Sequence, residues 1–132
     1  RIMMRLVSTL IASMALSSPA FAARDFRIAG EAFAEAEILD ARALASLGGE
    51  PAILITLTPK AAPRLLRLTK DAAGKTLIVT LDGKPLPGPT LSAPISDGAL
   101  ELPGIASFEE GEALAKAISG KPPVPDSLDE GP

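Results

Sequence analysis

Serine, threonine and lysine are the side chains here that could act as nucleophiles, because the chain contains no Cys and no His, and also lacks Trp and Tyr. Thiol chemistry, disulfides, imidazole bases and ordinary zinc sites are thereby excluded. Ser92, Ser96 and Ser107 have no imidazole to activate them. Ser107 also stands three residues before Glu110, the spacing of a helix cap. A Ser–Lys pair would need a buried lysine, whereas Lys70, Lys75 and Lys84 fall in helix-surface or turn contexts. Carboxylates cluster at Glu109, Glu110 and Glu112 and again at Asp129-Glu130. The first cluster lies in the first turn of a predicted helix, where acids complement the dipole. Oxygen ligands for calcium or magnesium would need closer clustering, and no EF-hand-like spacing occurs. No GxGxxG or GxxxxGK[ST] pattern cradles a phosphate. The expectation is a protein without cofactor and without enzymatic activity. The net charge of −3 and the lack of a basic block also argue against nucleic acid as a partner.

The elements that position these residues can be read from periodicity. Ala52–Thr58 (AILITLT) alternates as a strand, with Ile53, Ile55 and Leu57 on one face and Leu54 and Thr56 on the other. Glu37–Ser46 admits a helix by its Ala and Glu content or a strand by alternation; the strand is favoured, because a second strand follows at once and a Gly48-Gly49 hairpin joins them well. Strict alternation there puts Ile38, Asp40 and Arg42 on one side and Leu39, Ala41 and Ala43 on the other. Thr58-Pro59 reads as a helix start, Thr as N-cap and Pro at the first helical position. The helix is expected to run to about Ala73, with Pro63 delaying or distorting its first turn.

Thr76–Leu81 is a β-branched, aliphatic strand, with Leu77, Val79 and Leu81 on one face and Ile78 and Thr80 on the other. Asp82-Gly83 supplies the positive-φ pair of a tight type I′ turn. Lys84–Ile95 carries Pro85, Pro87, Pro89 and Pro94, which confines it to a bulged or broken edge strand. Ala99–Leu102 is a short strand. Ser107 and Glu110 cap the last helix, whose buried stripe is Gly111, Leu114, Ala115 and Ile118, and Gly120 ends it. Phe26, Ile28 and Phe33 in residues 23–35 form either a short strand or an irregular lead-in. The expected architecture is α+β: a two-layer sandwich of a mostly antiparallel sheet with two helices packed on one face. Leu54, Thr56, Ile78 and Thr80 would then lie on the opposite, open face. A half-apolar face of that kind suits extended polypeptide, provided residues 23–35 do not cover it.

Residues 1–22 have the three parts of a secretory signal: Arg1 and Arg5, the apolar run Leu6–Leu16, and Ala20-Phe21-Ala22 ahead of a cleavage point between Ala22 and Ala23. The domain then covers residues 23–120. Lys121–Pro132 (KPPVPDSLDEGP) is acidic and Pro-rich, with too little apolar surface to fold alone, and is expected to be disordered.

Several short motifs occur in a fixed order: ITLT at Ile55–Thr58, Thr69 with Gly74-Lys75, LIVTLDGK at Leu77–Lys84, SAPI at Ser92–Ile95 and SFEEGEALAKAISG at Ser107–Gly120. Together they resemble the head of the first periplasmic domain of SecD, a subunit of the bacterial protein-export machinery. The departures are the proline-rich KPLPGPTLSAPI after the hairpin turn and Ala61-Ala62-Pro63 at the first helix. SecD's membrane helices and larger periplasmic base have no counterpart in these residues, so no motor function follows. The resemblance implies a periplasmic, non-enzymatic module that contacts exported or unfolded polypeptide, with the Sec translocon or other envelope proteins as partners. A domain docking to one folded envelope partner is the alternative.

Overall fold

A computed structural model of the chain describes residues 24–124; the leader at residues 1–22, the cleavage point beside Ala23 and the end of the tail lie outside the described residues. Among the described residues, seven strands and two α-helices follow one another, with a 3-10 turn at Glu35–Glu37 between the second and third strands: β1 (Phe26–Ile28), β2 (Glu31–Ala32), β3 (Ile38–Ala45), β4 (Pro51–Leu57), α1 (Ala62–Asp71), β5 (Val79–Leu81), β6 (Lys84–Leu86), β7 (Ala99–Leu102) and α2 (Phe108–Ser119). The architecture is α+β and its strand pairs are antiparallel. The strands divide into two sheets, ordered β2-β1-β5-β6 and β3-β4-β7, where the periodicity alone had suggested one.

The three-stranded sheet is the better covered. Ala43, Ile53 and Leu102 stand in one cross-strand row and Ala41, Ile55 and Leu100 in the next. α2 packs on β3 and β4 over these rows. It can approach closely because its inner face is small: a Cβ at Gly111 would lie 3.1 Å from the Ala43 Cβ. Ser107 Oγ accepts the Glu110 N–H at 3.0 Å, and Gly120 ends the helix in the left-handed region at φ 77°.

Strand β3 departs from strict alternation. A bulge between Ile38 and Asp40 inserts Leu39, so Ile38 joins Ala41 on the buried face and Asp40 turns to the other side, opposite Thr56. An extra residue in one strand of a pair reverses facing on one side of it. The grouping of Ile38 with Asp40 and Arg42 is thus corrected.

In the four-stranded sheet, β1 and β2 form a hairpin whose first strand pairs with β5. Residues 24–35 therefore extend the sheet sideways instead of lying over its face. Phe26, Ile28, Val79 and Leu81 point into the core. Asp82 and Gly83, at φ 54° and 84°, turn β5 into β6. β5 is shorter than the periodicity predicts. Thr76 makes only a single bridge to Thr90, and the Leu77 N–H donates to the Pro89 carbonyl at 2.8 Å. Prolines on the partner segment cannot return the hydrogen bonds of a full ladder.

Helix α1 begins three residues later than Pro59. Residues Thr58–Ala61 form a turn, in which Thr58 Oγ1 accepts the Ala61 N–H at 3.3 Å, and Ala61 is the N-cap. The cause is Pro63. Proline is tolerated in a helix's first turn, where its missing N–H has no intrahelical acceptor, and not a turn later. Leu65 is fully buried in a core shared by both sheets and both helices.

Candidate functional site

Of the four residues expected on one open face, the structure separates two pairs. Leu54 and Thr56 lie on β4 of the three-stranded sheet, Leu54 between Arg42 and Glu101 and Thr56 between Asp40 and Ala99. Thr80 lies on β5 of the other sheet, between Arg27 and Pro85. Ile78 precedes β5, and its carbonyl accepts the Ala29 N–H at 2.7 Å. Alternation along a strand predicts which residues share a face, but carries nothing about which strands share a sheet.

Ile78 borders a cleft of about 530 Å³ at the C-terminal end of α1. Leu68 and Ala72 of α1 form one wall, Leu77 and Ile78 another, and the β1–β2 turn at Ala29-Gly30 closes one side. Asp71 and Lys75 supply charge at the margin. Ile78 is 67% exposed, while Leu77 beside it is buried. The extended segment leading into β5 therefore presents one aliphatic side chain to the core and the next to solvent. The tight turn at residues 72–75, where the Lys75 N–H donates to the Ala72 carbonyl at 2.9 Å, brings α1 and the segment leading into β5 together around this space.

A second constellation is polar. Asp40, 9% exposed, pairs with Arg42 (Nε–Oδ2, 2.8 Å). Its Oδ1 accepts the Val124 N–H at 2.7 Å, and Arg42 Nη2 donates to the Val124 carbonyl at 2.5 Å. Burial pushes the Asp40 carboxyl up, but the hydrogen bond from Arg42 and that from the Val124 N–H outweigh it, and its pKa is lowered. Lys121–Val124, expected to be part of a disordered tail, are accordingly held against the domain. The sequence carries one trace of this pair. Asp40 and Arg42 are two apart on a strand, so they share a face and can bond, although nothing local names Val124 as their partner.

A third cluster ties α1 to the N-terminal hairpin. Arg64 bonds Glu31 and Glu37, each at 2.6 Å, donates to the Ala32 carbonyl, and lies 4.1 Å from the centre of the Phe33 ring. Arg67 adds a bond to Glu31. Hydrogen bonds from Arg64 and Arg67 lower the Glu31 pKa; the Ala34 N–H and then Arg64 lower that of Glu37. With every member paired to a protein group, the cluster reads as a structural tie.

Ser92 and Ser96 are exposed, and Ser107 is engaged as a cap. Asp82 accepts the Asp25 N–H at 2.8 Å and pairs with Arg24, which fastens the start of the domain to the hairpin turn. Among the described residues, no three acids approach one another as a metal cage.

Comparison with known proteins gives these sites a context. Residues 11–121 match the SecDF P1 head subdomain family. The chain belongs to that family. It is 34% identical over 91 residues to the protein translocase subunit SecDF of Thermus thermophilus, covering 68% of this chain and 12% of that protein. With the protein translocase subunit SecD of Acidaminococcus fermentans the identity is 32% over 89 residues, or 67% of this chain and 21% of that one. A solved structure of SecDF, described as a membrane component that enhances protein export, superposes with a TM-score of 0.60 at 29% identity, covering 68% of this chain and 41% of that one. A SecDF crystal structure in a super-membrane-facing form gives the same TM-score, covering 12% of its length. The chain thus spans a small part of the relatives it matches. No helix among the described residues is long and apolar enough to cross a membrane.

Proposed function

We propose that this SecDF-type head domain is a non-enzymatic module that binds extended or unfolded polypeptide during protein translocation. The observation that carries the reading is the apolar cleft at Ile78, a large aliphatic side chain left exposed beside a strand end in a domain of this family. A cleft of about 530 Å³ takes a few side chains at once. Burying one aliphatic side chain contributes roughly 1.5–3 kcal/mol, so contact is weak and tolerant of sequence, as suits a chain in transit. Thr80, on the same side of the strand as Ile78, extends the contact across the sheet; Leu54 and Thr56, in the other sheet, take no part. The proline-marked β6 edge is blunted against strand addition, which favours the cleft over the edge. Periplasmic placement, export by a leader cleaved between Ala22 and Ala23, and action beside the Sec translocon belong to the same proposal.

Ile78→Lys tests it, with a permanently unfolded reduced and carboxymethylated polypeptide as probe. The expected result is an affinity loss of about tenfold, from one lost aliphatic contact, with unchanged circular dichroism and melting. Unchanged affinity would remove the cleft from the mechanism. A wild-type domain that ignores unfolded chains and binds one folded envelope protein tightly would establish the docking alternative.

A further inference from the structure

Residues 121–124 leave the end of α2 and run along β3, which is an edge strand of its sheet. Lys121 Nζ donates to the Ile38 carbonyl at 3.1 Å. Val124 is then held through both backbone groups, its N–H by Asp40 and its carbonyl by Arg42. These are groups that every residue except proline possesses, so the grip reads extended backbone and not a side chain. Val124 as a whole remains 40% exposed. Asp40 and Arg42 stand two apart on β3, in register with Thr56 and Leu54, so both project from the same face of the strand. Beside it lies a groove of about 430 Å³ lined by Arg42, Ala43, Ala115, Lys116, Pro122 and Pro123. The segment forms one wall of this groove and leaves the rest open.

We propose that Asp40 and Arg42 on the β3 edge form a backbone-recognition site for extended polypeptide, which Lys121–Val124 occupies in cis as an internal competitor. The proposal rests on the polypeptide-binding reading and deepens it. It adds a polar, sequence-independent contact to the apolar one at Ile78. A tethered segment competes at high effective concentration, so a polypeptide binding in trans must displace it. Burial of the ion pair strengthens hydrogen bonds to whichever backbone is present.

Val124→Pro in the full chain provides the test. It deletes the N–H that Asp40 accepts, at a site already flanked by Pro123 and Pro125, so an extended local conformation is retained. Affinity for the carboxymethylated unfolded polypeptide should rise about tenfold, the worth of one hydrogen bond to a charged acceptor. Adding Asp40→Ala should cancel the gain, and Arg42→Gln should do the same if the Asp40 variant does not fold. A gain that survives both changes would overturn the proposal, because it would arise elsewhere. If Val124→Pro leaves affinity unchanged while Ile78→Lys still lowers it, the β3 site is refuted and the cleft reading stands. If wild-type and Val124→Pro both ignore unfolded polypeptide, the binding reading fails and this inference with it.

Discussion

The two sheets of this domain are built from similar aliphatic residues yet differ in what covers them. The β3-β4-β7 sheet has strands of up to eight residues, a helix seated on one side and the start of the C-terminal segment along its edge. The β2-β1-β5-β6 sheet has strands of two or three residues, and the exposed Ile78 leads into one of them. Length explains much of the contrast. A long pair of strands offers whole rows of side chains to a helix, and small residues at Gly111 and Ala115 let α2 settle on them. Short strands interrupted by proline leave ladder groups and one aliphatic side chain to solvent. The covered sheet buries the longer rows of side chains, and the shorter one leaves Ile78 exposed at its margin.

The contrast can be broken most forcefully at the covered sheet. Ile53 is fully buried, beside Gly111 of α2. Ile53→Ala should cost about 2–5 kcal/mol in urea denaturation, the range for truncating a core isoleucine. A cost under about 1 kcal/mol would show that α2 and the sheet are loosely joined. On the shorter sheet the sensitive point is a close backbone approach. A Cβ at Gly88 would lie 1.8 Å from the Leu77 carbonyl oxygen. Gly88→Ala should therefore push the proline-rich segment off its neighbour, at about 1–3 kcal/mol. Because Leu77 and Ile78 border the cleft, polypeptide affinity should fall with it, whereas Ile53→Ala should leave affinity per folded molecule unchanged.

A smaller effect separates the polar grip from the apolar cleft. The Asp40 pKa is lowered in the folded protein, so its contribution to stability is present above the unfolded carboxyl value, about 4, and is lost as pH falls through the folded value. Glu31 and Glu37 shift in the same direction. Asp40→Asn should therefore flatten, without abolishing, the loss of stability between neutral pH and pH 3, read as urea midpoints. It should also speed amide exchange at Val124. An unchanged acid slope would mean that the grip contributes nothing to folding.

Much of this was legible in the residues themselves. The Asp82-Gly83 turn, the Ser107 and Gly120 helix ends, and the burial of Ile53, Ile55, Leu77 and Val79 follow from local rules, because a turn's dihedrals, a cap's hydrogen bond and the period of a strand involve only near neighbours. The delay of α1 is of the same kind, since Pro63 forbids an earlier start. The motif order from Ile55 to Gly120 pointed to the family.

Tertiary structure alone decided the rest. It divided the strands between two sheets, which parted Leu54 and Thr56 from Ile78 and Thr80. It placed residues 24–35 beside β5 and not over it, and it bulged β3 so that Asp40 faces away from the core. It also brought Val124 to a carboxylate eighty-four positions earlier in the chain. Each of these depends on which distant segments meet. A chain chooses such pairings by the total burial and hydrogen bonding of the whole domain, and no window of neighbouring residues contains that total.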